Sequence, residues 1–138
     1  MAVGFRIDFL WYQVGHGDFL HSFFSTICYR LENNHWGSKY PYLMNNLYGG
    51  ELSWTDISFA REELKDIQGE LAELSPSSVI WDIDDLAKRP PWGDNISPHI
   101  TDLSNYFVTS DGRDLISIIF EAFDEAEELK HNIEIVSL

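Results

Sequence analysis

Two aspartates next to an apolar run are the residues of this chain whose spacing best suits catalysis. Asp82 and Asp84 follow Val79-Ile80-Trp81, a run typical of a short buried strand. A carboxylate pair at the end of such a strand can supply a nucleophile and a ligand for Mg²⁺. The pattern therefore leaves open a small metal-dependent hydrolase or phosphatase that uses Asp82 and Asp84.

The surrounding sequence favours a structural role for this aspartate pair. Haloacid-dehalogenase phosphatases present an Asp-x-Asp pair in this way. They also need a downstream lysine, and their sheet is larger than this chain can form. After Lys88, the next lysine in this chain is Lys130. Asp84 or Asp85 instead suits the N-cap of a short helix through Ala87. We weigh this capping role above catalysis and predict that the chain is not an enzyme.

The histidines and the single cysteine offer little further chemistry. His16, Asp18 and His21 lie close together in sequence but do not follow a recognised metal-ligand spacing. Cys28 falls on the apolar side of a predicted helix, where a small buried side chain is the usual role. Nucleophile-elbow and phosphate-binding glycine motifs are absent from the sequence. We therefore predict no catalytic residue, no bound metal and no cofactor.

The overall charge places the strongest constraint on function. The 138 residues contain 23 Asp and Glu against 9 Lys and Arg, for a formal net charge of −14. Because 44% of the residues are hydrophobic, the chain can fold around a core and carry this charge on its surface. Such a surface repels nucleic acid and anionic membranes and attracts basic partners. The composition predicts a binding module for a basic protein.

Length and cysteine content set our expectations for domain organisation and compartment. A chain of 138 residues suits a single domain, residues 1–138. No apolar run is long enough to cross a bilayer, and the first residues lack a signal-peptide pattern. One cysteine excludes an internal disulfide, which fits the reducing cytoplasm. We therefore expect a cytoplasmic protein.

Hydrophobic periodicity predicts the elements of the first half of the chain. Apolar residues alternate from Val3 to Tyr12, which predicts one long strand ended by residues 15–17. Asp18 is a suitable N-cap for a helix whose apolar stripe reaches Leu31. The Asn-, Gly- and Tyr-rich residues 33–50 predict a structured loop with exposed aromatic rings.

Two acidic helices dominate the rest of the chain. Apolar stripes predict one helix from a cap at Ser53 or Thr55 to residue 74, and another over 113–130. Short strands are predicted at 79–81, 106–109 and 133–138. Together these elements predict an α+β fold, with a small, mostly antiparallel sheet and about three helices packed on it. The outer helix faces carry Glu62, Asp66, Glu70 and Glu73, and Glu121, Asp124, Glu125 and Glu128.

Aromatic residues in the predicted loops are candidate anchors for a partner. Trp36, Tyr40, Tyr42, Tyr48 and Trp92 all fall in such segments, although the prolines before Trp92 favour a core position for it. Trp and Tyr beside carboxylates suit a partner that offers Lys, Arg and apolar stems. The candidate partner-binding residues are Asp82, Asp84, Asp85, Asp94, Glu121, Asp124, Glu125, Glu128, Trp36 and Tyr42.

Four segments carry a family pattern over nearly the whole chain. They are Val3-Gly4-Phe5 to Trp11-Tyr12, Gly17 to Leu20, Ile80-Trp81-Asp82 to Pro90-Pro91-Trp92-Gly93, and Tyr106 to Arg113. In these segments the chain resembles the immunity protein 70 family of bacterial polymorphic-toxin systems. The resemblance implies a cytoplasmic inhibitor that binds the C-terminal domain of a cognate secreted or contact-delivered toxin. It transfers no interface residues, because no motif of the family defines them.

Three functional hypotheses follow from the sequence. The first is a stoichiometric immunity protein whose carboxylates cover a basic toxin, such as a nuclease. The second is the small metal-dependent hydrolase built on Asp82 and Asp84. The third is a subunit of a larger assembly, which predicts a stable complex with a partner that is not toxic.

Overall fold

A four-stranded antiparallel sheet and three helices form the framework of the protein. The computed structural model describes residues 2–137. Its strands are β1 (Ala2–Ile7), β2 (Leu10–His16), β3 (Glu51–Leu52) and β4 (Ile133–Ser137), in the order β2-β1-β4-β3. Its helices are α1 (Gly17–Thr26), α2 (Ile57–Leu71) and α3 (Leu115–Leu129). All strand pairs are antiparallel, so the predicted α+β class is confirmed.

The opening apolar alternation forms a hairpin and not the single long strand that we predicted. β1 and β2 are joined by Asp8 and Phe9, and Asp8 has a φ of +54°. Asp tolerates this left-handed conformation, which a tight two-residue hairpin turn requires. Ile7 pairs with Leu10 across the turn, so the core-facing residues change from odd to even numbers. Phe9 and Trp11 are exposed but apolar, so they continue the apolar alternation past the turn. The sequence pattern therefore does not indicate where the turn lies.

A glycine in the middle of β1 allows an indole ring to cover the strand. A Cβ atom at Gly4 would lie 2.5 Å from the Trp11 ring and 2.5 Å from the carbonyl oxygen of Tyr12. Trp11 therefore packs on the β1 backbone, on the sheet face that also carries the Arg6–Glu134 ion pair. The alternate β1 residues, including Phe5, point into the core.

The core between the sheet and the helices is rich in phenylalanine. Phe5 of β1 and Phe23 and Phe24 of α1 are buried. Phe23 packs edge-to-face on Phe24 and on Phe107, with ring centroids 5.3 and 5.2 Å apart. Such pairs add about 0.5–1.5 kcal/mol to the free energy of area burial. This aromatic cluster ties α1 to the segment before α3.

The N-cap of α1 is His16 and not Asp18, as the sequence had suggested. The Nδ1 atom of His16 accepts the backbone N–H of Asp18 at 3.1 Å. Asp18 instead lies in the first turn, where the positive end of the helix dipole favours a carboxylate. The helix then continues through a π-helical turn, Ile27–Leu31.

Residues 33–50 are more ordered and more buried than the predicted loop. Tyr42–Leu47 forms a π-helical turn that buries Leu43, Met44 and Leu47. The segment before it is organised by Glu32, whose side chain accepts the backbone N–H groups of Gly37, Lys39 and Tyr40 at 2.9–3.1 Å. Glu32 is 3% exposed. A single buried carboxylate therefore substitutes for regular secondary structure in this segment.

Tyr40 is buried, so the prediction that it is an exposed anchor is wrong. Its O–H group donates to Asp66 at 2.8 Å and to Glu70 at 2.7 Å. Lys39 also pairs with Glu70, at 3.1 Å. Burial raises the pKa of Tyr40 above the ordinary value of 10.0, and the two carboxylates raise it further. The phenol thus fastens the 33–41 segment to α2.

The raised pKa of Tyr40 predicts a loss of stability at alkaline pH. The folded-state pKa exceeds the unfolded value, so the contribution of Tyr40 is complete below about pH 10 and is lost as the pH rises further. We expect Tyr40→Phe to lower the free energy of unfolding by about 1.5–3 kcal/mol at pH 8. Above pH 10 the variant should lose less stability than the wild type. Urea titrations from pH 8 to 11 measure both effects, and parallel pH curves for the two proteins would contradict the assignment.

The two short strands predicted before α3 are wrong. Ile80 is held by side chains of α1 and not by a sheet: its N–H donates to Thr26 Oγ1 at 3.0 Å, and its carbonyl accepts from Ser22 Oγ at 2.7 Å. Val108 makes a single bridge with Asp114 and no ladder. The sheet instead recruits β3, a two-residue strand that carries no sequence signal of its own.

Candidate functional site

The loop at Asp82 is held by side chains of α1. Asp82 Oδ1 accepts the backbone N–H of Asp84 at 2.9 Å and lies 3.3 Å from His21 Nε2. Its other oxygen lies 3.5 Å from Lys88 Nζ. The Asp84 N–H, with His21 and Lys88, holds the pKa of Asp82 below its usual range. Asp82 is thus an ionised carboxylate whose partners lie in its own loop and in α1.

His21, Asp82 and Asp84 form the group of side chains best placed to hold a cation. Their ligand atoms lie within 4.8 Å of one another. His21 Nδ1 lies 2.8 Å from the Tyr48 hydroxyl, so its other ring nitrogen is the one that faces the aspartates. His16 and Asp18, which the sequence grouped with His21, instead form the N-cap and first turn of α1. The histidine–aspartate group that the fold brings together is therefore His21 with Asp82 and Asp84, and not His21 with its sequence neighbours His16 and Asp18.

The strand end that the hydrolase hypothesis requires is not formed. Residues 79–81 lie outside the sheet, so Asp82 and Asp84 do not project from the carboxyl end of a strand. The alternative expectation, a helix capped by Asp84 or Asp85, is also wrong. Asp85 accepts the backbone N–H of Ala87 at 3.2 Å, but the turn does not continue as a helix. These aspartates stabilise local turns in an irregular loop.

α3 displays an acidic stripe on its outer side. The helix begins at Asp114, which accepts the backbone N–H of Ser117 at 3.0 Å. Its buried side packs on the sheet and on α2, which leaves carboxylates on the opposite side. Tyr12 of β2 lies beside them: burial raises the pKa of this phenol, and the stripe raises it further. The α3 stripe consists of Glu121, Asp124, Glu125 and Glu128.

Ion pairs divide the predicted acidic contact residues into two groups. Glu121 pairs with Arg113, and Asp124 pairs with Arg61 of α2 at 2.8 Å. Asp82 has the partners described above. The remaining predicted carboxylates make no salt bridge within 4.0 Å among residues 2–137; they are Asp84, Asp85, Asp94, Glu125 and Glu128.

The predicted aromatic anchors also differ in accessibility. Trp36 is half-buried, and its indole N–H donates to the Met44 carbonyl at 3.0 Å. Tyr42 stacks on Phe59 of α2 with ring centroids 5.1 Å apart and planes at 14°. Phe59 is 55% exposed and is not among the anchors predicted from the sequence. A phenylalanine on the polar side of an amphipathic helix was the available signal.

Trp92 lies at the surface and not in the core. Its indole N–H donates to the Tyr106 hydroxyl at 2.8 Å, and its ring packs edge-to-face on Trp81. These contacts fix the ring while 37% of the side chain stays exposed. Trp92 is therefore a rigid aromatic group next to Asp94, one of the unpaired carboxylates.

A comparison with protein families identifies the chain. The family model described as Immunity protein 70 matches residues 5–135. The chain belongs to the immunity protein 70 family. The match extends from within β1 into β4 and so includes all three helices. No curated protein and no solved structure matched the chain.

Membership of the immunity protein 70 family changes which features of the surface matter. An immunity protein has a toxin protein as its partner, so recognition is the chemistry to explain. The unpaired carboxylates and exposed rings suit recognition, because neither group must break an internal contact to meet a partner. Among residues 2–137, no helix of this immunity protein has the length and apolar character that a membrane crossing requires.

Proposed function

We propose that this immunity protein binds its cognate toxin domain directly in the cytoplasm and neutralises it by stoichiometric occlusion. The α3 stripe is the observation that supports this proposal most strongly. It combines four carboxylates on one side of a helix, and two of them, Glu125 and Glu128, have no ion-pair partner among residues 2–137. Their negative charge is available to a basic partner.

Electrostatic attraction gives such an inhibitor a kinetic advantage. A net charge of −14 produces a field that attracts a basic protein over about one Debye length, ~8–10 Å at physiological salt. The proposed toxin domain is therefore basic, as a nuclease with a phosphate-binding surface would be. Aspartate and glutamate side chains would occupy the positions that substrate phosphates take on that surface.

The loop carboxylates and exposed rings extend the proposed contact surface. Asp84, Asp85 and Asp94 lie in the irregular segment between α2 and α3, and Trp92 lies within the same segment. The stacked pair Tyr42 and Phe59 supplies a second exposed aromatic feature. Charged groups set the rate and specificity of association, and buried rings supply most of the affinity.

Co-expression with the cognate toxin tests the proposal. If the reading frame that precedes this gene encodes a long secreted protein with a variable C-terminal domain, that domain is the probe, hereafter the toxin domain. We expect the toxin domain alone to stop growth of a host strain and co-expression of this chain to restore it. The purified proteins should form a 1:1 complex, and protection should require at least equimolar inhibitor.

Three results would contradict the proposal. Protection at strongly substoichiometric levels would indicate an enzyme. A stable complex with a domain that does not impair growth would favour the assembly-subunit hypothesis. Growth arrest that persists despite abundant folded inhibitor would show that the chain does not neutralise this toxin domain.

A further inference from the structure

A largely apolar groove opens at the end of β2, where the strand meets α1. Its volume is about 520 Å³, within the range of about 300–1,000 Å³ typical of ligand sites. β2 and α1 supply one side, and the irregular segment before α3 supplies the other. The apolar residues that line it include Val14, Phe19, Trp92, Ile96, Tyr106 and Val108.

Hydrogen bonds fix the shape of this groove. The Ser110 N–H donates to the Val14 carbonyl at 2.9 Å, and Gln13 Nε2 donates to Ser110 Oγ at 3.0 Å. Trp92 is held by the Tyr106 hydroxyl, as described above. Val14 and Tyr106 are buried and form the floor, whereas Trp92 and Val108 remain exposed. The groove is therefore preformed, so binding would cost little ordering of side chains.

Acidic residues lie next to the groove lining along the chain. The lining residues include no lysine, arginine or carboxylate. Three aspartates each directly adjoin a lining residue in sequence; they are Asp18, Asp94 and Asp111. Along β2, Tyr12 beside the α3 stripe is two residues from Val14, a spacing of about 7 Å in a strand. All three aspartates are exposed, and we call them the acidic rim of the groove because they border its lining residues along the chain.

We propose that this groove seats a large apolar side chain of the toxin domain that is flanked by lysine or arginine. The inference rests on the proposed function and adds the position and chemistry of the anchor. Charge complementarity selects this occupant, because the acidic rim attracts basic flanking residues. A second copy of this chain would bring a further net charge of −14 to the same acidic rim, which opposes self-association there.

Two matched pairs of variants test the groove. Val108→Lys places a cation on its wall, and Phe9→Lys makes the same charge change at the tip of the β1–β2 turn. Trp92→Ala removes a wall, and Trp54→Ala removes a tryptophan of equal exposure near β3, 37% against 36%. Calorimetry with the toxin domain should show at least tenfold weaker binding for each groove variant. Each control variant should stay within twofold of the wild type.

The outcomes separate the groove from the proposed function. If wild-type protein fails to bind or neutralise the toxin domain, the proposed function is wrong and the groove inference is lost with it. If the wild type binds and both groove variants match their controls, the groove inference alone is wrong. Thermal unfolding of every variant identifies a loss of folding, and Val108→Lys changes a 44% exposed side chain that the fold can spare.

Discussion

Replacing Glu125 and Glu128 with lysine is expected to weaken binding of the toxin domain about 100-fold, because close interfacial charge pairs contribute ~1.5 kcal/mol or more each. Both carboxylates belong to the α3 stripe, and neither is engaged in an ion pair among residues 2–137. Both lie in the C-terminal half of α3, where a cation is favourable to the helix dipole. The double variant should therefore fold normally. Stopped-flow measurements should show that the double variant associates more slowly than the wild type. This difference in association rate should be larger at low salt than at high salt, because salt screens the exposed charges.

A matched control distinguishes a localised interface from general attraction. Glu62→Lys with Glu73→Lys makes the same change in net charge on the outer side and the end of α2. Both are exposed, and Glu62 has only a surface pair with Lys65 at 3.3 Å. This control should bind the toxin domain within about threefold of the wild type, as expected for charges outside the contact. Equal losses in the two double variants would show that total charge matters and that the α3 stripe is not the contact surface.

Glu32→Ala is expected to lower the free energy of unfolding by about 4 kcal/mol, because an N–H group left without an acceptor costs ~1–3 kcal/mol when it is buried. The contact to Tyr40 is buried, and those to Gly37 and Lys39 are half-buried. The carboxylate accepts three backbone N–H groups, those of Gly37, Lys39 and Tyr40. Among residues 2–137, no other side chain accepts these N–H groups. Urea unfolding should show a lower midpoint with an unchanged slope, since the folded state remains compact.

A surface glutamate provides the comparison for Glu32. Glu73 is exposed just beyond α2, and Glu73→Ala should change stability by less than about 0.5 kcal/mol, as surface substitutions usually do. Similar small losses in both variants would mean that water satisfies the three N–H groups when Glu32 is removed. In that case the segment 33–41 would not depend on its buried carboxylate.

The local sequence pattern is sufficient to predict those elements whose hydrophobic periodicity is unbroken. α2, α3 and β4 follow the predicted positions closely, because each buries one regular apolar face. The β1–β2 turn was missed because Asp8 and Phe9 carry no glycine or asparagine signal. The sequence predicts a structured loop for residues 33–50, because the order of 33–41 comes from contacts to Glu32 that no periodicity encodes.

The candidate site shows the same division between local and long-range information. Helical spacing placed the α3 carboxylates on one surface. It could not reveal which of them are paired, because Arg61 reaches Asp124 across 63 residues of sequence. The groove was also invisible in the sequence, since Val14 and Val108 meet only in the fold.

The position of β4 has a consequence for the timing of folding. β4 is an inner strand: it pairs with β1 on one side and with β3 on the other. Residues 133–137 are translated after all the strands that depend on them, so the sheet cannot be completed on the ribosome while they remain in the exit tunnel. A chain that stops before residue 133 would leave β1 and β3 without the strand that lies between them, so such a fragment should not assemble the sheet.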